Sequence, residues 1–75
     1  MVTIRVVDQK TGVPSKGKKV MLIAGELKNK AVIGPEYTDK KGEVVFNINP
    51  CRGVICVDDK RTMSKCIAGT IMLFI

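Results

Sequence analysis

Thr38-Asp39-Lys40-Lys41-Gly42-Glu43-Val44-Val45-Phe46 sets a tight reversal directly against an apolar extended run. Asp39 supplies a carboxylate that bonds nearby backbone N–H groups, and Gly42 tolerates the positive φ such a turn needs. Alternation follows at once. Val44, Phe46 and Ile48 fall on one face, with Glu43, Val45 and Asn47 on the other, until Asn49-Pro50 ends the strand. The same grammar stands upstream. Val2, Ile4 and Val6 alternate with Thr3 and Arg5, and then Asp8, Thr11, Gly12 and Pro14 break the strand.

Working outward, residues 19–24 form a continuous apolar strand around Val20, Leu22 and Ala24, and residues 25–30 read as a polar turn. Residues 31–33 are extended until Gly34-Pro35 interrupts them, with Tyr37 and Thr38 resuming the strand. Proline lacks a ladder donor, so this piece belongs at a sheet edge or a bulge. Residues 53–58 form the next strand, Asp58-Asp59-Lys60 turns it back, and residues 61–65 return. Residues 67–75 read as one long final strand with a bulge at Gly69. No apolar stripe of helical period is long enough for a helix. The chain is therefore expected to be all-β, a small antiparallel β-sandwich of about seven strands forming a single domain over residues 1–75. The alternative is a five-stranded barrel of the oligonucleotide-binding type.

Seventy-five residues with one Tyr, two Phe and no Trp leave the core to Val, Ile, Leu and Met. A chain this short builds a modest core, and such domains often gain stability from disulfides, metals or oligomerisation. The net charge of +6 comes from scattered rather than clustered Lys and Arg. That suits solubility and protected strand edges better than polyanion binding, which also wants aromatic stacking residues. Nothing approaches a membrane helix, so no membrane insertion is expected. The first residues lack the features of a signal peptide, which leaves either a cytosolic protein or a mature form whose leader is gone.

Asp8, Thr11-Gly12-Val13-Pro14, Lys16-Gly17-Lys18-Lys19-Val20 and the 38–46 hairpin together resemble the carboxypeptidase-regulatory-like and collagen-adhesin B-type domains. The likeness spans roughly residues 2–58 and implies a transthyretin-like (prealbumin-like) sandwich. It also implies a non-catalytic stalk, accessory module or assembly unit, often at the cell surface or outside the cell. Some adhesin members of that family carry a Lys–Asn isopeptide bond. Here the first strand offers Arg5 rather than Lys, and residues 67–75 contain no Asn, so no such bond is expected.

Sandwich strands should be apolar inward and polar outward. Several strands here are apolar on both sides. Met21 and Ile23 stand beside Val20 and Leu22, Ile55 and Val57 beside Val54 and Cys56, and Met72 and Phe74 beside Ile71, Leu73 and Ile75. Taking the second member of each set as outward gives an apolar face of Met21, Ile23, Ile55, Val57, Met72 and Phe74. With the uncharged run Ile71, Met72, Leu73, Phe74 and Ile75, this face predicts self-association into a homo-oligomer or filament.

Three further constellations bear on function. Lys10, Lys16, Lys18, Lys40, Lys41, Lys60 and Arg61 gather at one end of the sandwich as an anion-attracting rim, much of which Asp39, Asp58 and Asp59 cancel. Calcium at Asp8, Asp39, Asp58 and Asp59 would have to compete with the lysines, so turn formation and local pairing are the expected roles. Cys51, Cys56 and Cys66 are either free thiols or one bridge plus one buried thiol. A two-residue turn at Asp58-Asp59 places Cys51 opposite Cys66, near bridging distance. With no His, no framed Ser nucleophile and no metal-ligand spacing, neither a catalytic site nor a cofactor is expected. The function expected is a structural, self-associating interaction module. A basic barrel that binds nucleic acid and a surface adhesion module are the competing readings.

Overall fold

The computed structural model describes residues 1–25 and 31–75, with the side chains of all of these except 63–65. The turn read over 25–30 therefore lies, beyond Gly25, outside the described residues. Among the described residues seven strands occur in chain order: β1 (Val2–Val7), β2 (Lys19–Ala24), β3 (Ala31–Tyr37), β4 (Glu43–Phe46), β5 (Cys51–Val57), β6 (Lys60–Ile67) and β7 (Thr70–Phe74). Among the described residues there is no helix long and apolar enough to cross a membrane.

The strands make two sheets, one of order β4-β1-β7 and one of order β3-β2-β5-β6. This is a β-sandwich, and the barrel alternative fails because among the described residues no ladder joins the two sheets into a closed cylinder. Every pairing is antiparallel except β1 with β7, which is parallel. The parallel pair arises because residues 67–75 are two strands rather than one. β6 ends in the four-stranded sheet at Ile67, the chain turns through Gly69 at φ 62°, and β7 crosses to the three-stranded sheet beside β1.

The core lies between the sheets and is almost wholly aliphatic. Val2, Ile4, Val6, Val44, Phe46, Ile71 and Leu73 come from one sheet, and Val20, Leu22, Ile55, Val57 and Ile67 from the other. In β5 the inward phase is the reverse of the sequence reading: Ile55 and Val57 are buried and belong to the core. Val54-Ile55-Cys56-Val57 is apolar throughout, so alternation cannot choose a face. Turning Ile and Val inward buries more apolar surface than turning Val and Cys inward.

Two irregularities set the register. In β3, Gly34 and Pro35 together stand against the single residue Met21 of β2, a bulge of one extra residue between Val20 and Leu22, and β3 is an edge strand, as proline requires. In the β5–β6 hairpin, Asp58 and Asp59 have φ 50° and 66°, the signature of a type I′ turn. Val57 pairs with Lys60 and Cys56 with Arg61. A bulge then pairs Ile55 with Met63, so that Arg52 faces Cys66 and Cys51 faces Ile67. Of the two alternatives, the Cys51–Cys66 bridge fails for this reason: one extra residue moves the register by one. Cys51 packs against the core, Cys66 is exposed, and all three cysteines are free thiols.

Candidate interaction surface

A two-sheet sandwich has four edges, and three of them here are unsuited to pairing. β3 carries the Gly34-Pro35 bulge, β6 carries exposed Lys60 and Arg61 and its own bulge, and β4 spans only four residues with Glu43 at its start. β7 differs. Thr70-Ile71-Met72-Leu73-Phe74 has no charge and no proline, and it pairs with β1 without a register shift.

The backbone of β7 can be assigned direction by direction. Ile75 N–H donates to Val7 O at 2.9 Å, Gln9 N–H donates to Ile75 O at 2.9 Å, and Thr3 N–H donates to Gly69 O at 2.9 Å. Residues 69 and 75 thus turn their polar groups toward β1. Along a strand these groups alternate sides, so Ile71 and Leu73 do the same. Thr70, Met72 and Phe74 consequently direct their N–H and C=O groups toward the open edge.

Those same three residues carry their side chains on the outer face of the sheet. Register sets Val45, Thr3 and Thr70 in one row, Glu43, Arg5 and Met72 in the next, and Val7 beside Phe74 in the third. Met72 is 46% exposed and Phe74 58%. Arg5, at the centre of this face, keeps its Nε buried without a hydrogen-bond partner among the described residues. The outward position of Arg5 follows from β1 alternation, but its place between β4 and β7 depends on pairing that one strand cannot reveal.

The nine residues read as a self-association surface do not form one face. Ile55, Val57, Ile71 and Leu73 are buried in the core, and Ile75 is half-buried. Met21 and Ile23 lie half-buried on the outer face of the other sheet, where Cys56 and Val54 are their cross-strand partners. Only Met72 and Phe74 are left as the large exposed members, and they share a face with exposed Val45.

The charged turns do meet at one end. Val6 N–H donates to Gly42 O at 2.8 Å, Ser15 N–H to Val6 O at 2.9 Å and Gly17 N–H to Thr38 O at 2.9 Å. Buried Thr38 locks this end. Its Oγ1 donates to Ser15 O at 2.6 Å and accepts from Lys18 N–H at 2.8 Å. A cleft of about 330 Å³ lies here, lined by Asp8, Ser15, Lys18, Val57, Asp58, Lys60, Thr62 and Ile75. Of the seven basic rim residues, Lys18 and Lys60 line it. Lys10, Lys16, Lys40, Lys41 and Arg61 do not.

The aspartates serve the turns and the neighbouring lysines. Lys18 Nζ lies 3.5 Å from Asp58 Oδ2, and Lys19 Nζ lies 3.0 Å from Asp59 Oδ1. The Asp59 hydrogen bond and charge raise the Lys19 pKa above its ordinary value. Asp39 Oδ1 accepts from Lys41 N–H at 2.8 Å and Glu43 N–H at 3.0 Å, and these bonds, Glu43 first, hold the Asp39 carboxyl below its ordinary value. Among the described residues no three His, Cys, Asp or Glu side chains converge as metal ligands. The cleft is a mixed-charge junction of turns, whereas the β7 edge offers an uncharged surface with open backbone groups. Comparison of the chain with protein-family models, with curated proteins and with solved structures finds no match.

Proposed function

We propose that this chain is a non-catalytic structural module that works by associating with copies of itself. The observation that carries the reading is β7: an uncharged, bulge-free edge strand with outward backbone groups, two of whose own residues, Met72 and Phe74, are exposed on the outer face. Natural sandwiches blunt such edges, because an open one templates pairing with another chain. Here three edges are blunted and one is not, which supports selection for pairing at that one. The surface beside it joins Met, Phe and Arg, residue types enriched where protein interfaces bury their centres. The resemblance of the turn pattern to transthyretin-like assembly units is consistent with the same role.

The test is the mass of the untagged full chain against concentration, by sedimentation or light scattering, at low and high salt. A mass that rises with concentration and persists at high salt is expected. A monomer up to high micromolar concentration under both conditions overturns the proposal.

A further inference from the structure

Resting on the self-association reading, we infer that the partner is a second copy joined by antiparallel pairing of β7 with β7 about a two-fold axis at Met72. The open groups of β7 belong to Thr70, Met72 and Phe74. An antiparallel partner in the register that sets Met72 against the partner's Met72 also sets Thr70 against the partner's Phe74, and Phe74 against the partner's Thr70. All three are pairs in which both residues direct N–H and C=O across the seam, giving about six interchain hydrogen bonds. A shift of two residues loses one of these pairs. A shift of one sets outward groups against groups already committed to β1 and turns outer-face side chains against inner-face ones.

The same register satisfies the side chains. Thr70, Met72 and Phe74 all lie on the outer face, so the exposed apolar side chains of the two copies become contiguous there. Small Thr70 opposite the partner's Phe74 leaves room for the ring. Ile71 and Leu73 stay on the inner face in both copies, where they are already buried. The two three-stranded sheets become one continuous sheet of order β4-β1-β7-β7-β1-β4.

The head-to-tail alternative, β7 against another copy's β4, is poorer by the same count. Val6 N–H bonds Gly42 O, so alternation turns Val44 and Phe46 toward β1 and leaves Glu43 and Val45 facing the open edge. β4 thus offers two pairing residues against three, and one of them would bring the Glu43 side chain against the Met72 and Phe74 row. The two-fold pairing uses up the one open edge and leaves blunted edges outside, so the assembly closes as a dimer instead of growing into a filament.

Substitutions at Met72 test the geometry in the full chain. Proline at an edge position is tolerated when its N–H faces outward. Met72→Pro is therefore expected to keep the folded monomer's spectrum and cooperative melt while abolishing the dimer. Met72→Lys keeps the backbone donor but sets like charges opposite each other across the axis, and is expected to weaken the dimer roughly tenfold or more. In a Cys66→Ser background, Met72→Cys is expected to give a covalent dimer under mild oxidation, and Val45→Cys on the far edge is not. A wild-type chain that associates while Met72→Lys associates equally well and Met72→Cys fails to cross-link overturns the β7 pairing but leaves self-association standing. Cross-linking of a mixture of Met72→Cys and Val45→Cys chains to each other overturns the two-fold in favour of head-to-tail growth. A wild-type chain that stays monomeric overturns both.

Discussion

Thr38 shows how much one side chain carries at the loop end of this sandwich. It is the buried polar side chain among the described residues, and its hydroxyl serves the 8–18 loop in both directions, at Ser15 O and Lys18 N–H. Thr38→Val keeps the shape and strands both partners, so a loss of about 1–3 kcal/mol is expected in urea unfolding, with Thr38→Ser largely restoring it. Asp39 acts on the same end through charge. Its pKa is depressed in the folded state, so its contribution is present above the unfolded carboxylate value and is lost as pH falls through the folded one. Asp39→Asn keeps the acceptor without the charge, and is expected to flatten the acid limb of a plot of urea midpoint against pH. Lys19 has the opposite sign. Its raised value gives a contribution present below the ordinary lysine pKa and lost as pH climbs through the folded one. Gly42 is equally constrained, because at φ 73° an added Cβ would stand 2.5 Å from Val6 O.

At the scale of elements, bulges decide more than strands do. The β5–β6 bulge sets Arg52, not Cys51, against Cys66. Arg52→Cys is accordingly expected to form a bridge with Cys66 on mild oxidation, seen as loss of two alkylatable thiols, whereas the wild-type chain keeps all three. Closing that loop of roughly fifteen residues would stabilise by up to about 3 kcal/mol. The bulge lies one pair inside the Val57–Lys60 and Cys56–Arg61 pairs, and nothing in the composition of β6 announces it. β5 also approaches β2 closely at Gly53, where an added Cβ would collide with the backbone oxygen of Ile23. The Gly53 position opposite Ala24 is thus a packing requirement, one that a reading of turns passes over.

For the whole molecule, magnitudes limit the strength of association. Full burial of a Met or Phe side chain contributes about 1.5–3 kcal/mol, and Met72 and Phe74 are already about half covered. Two copies therefore add roughly 3–6 kcal/mol from these side chains, with about 0.5–1.5 kcal/mol net from each strand-pairing hydrogen bond. Association itself costs roughly 4–15 kcal/mol, so the dimer is expected to be weak to moderate. Each copy carries a net charge of +6, and the seam carries none. Salt screens the repulsion between copies without weakening the apolar contact, so added salt is expected to tighten the dimer in sedimentation runs. Polyanion binding through the lysine rim would show the reverse dependence.

The all-β architecture, the aliphatic core, the turns at Asp39–Gly42 and Asp58-Asp59, and the edge position of the Gly34-Pro35 strand were legible in the chain. Each rests on local chemistry: side-chain period, an Asx acceptor, a residue that tolerates positive φ, or a missing N–H. The phase of β5, the split of residues 67–75 between two sheets, the Arg52–Cys66 register and the scattering of the apolar second face were not legible. A run such as Val54-Ile55-Cys56-Val57 has no period to read, and a strand's sheet is chosen by partners distant in sequence. That β7 is an edge belongs to the same class: its sequence shows that it is apolar, but only the packing of the other strands leaves one of its sides open.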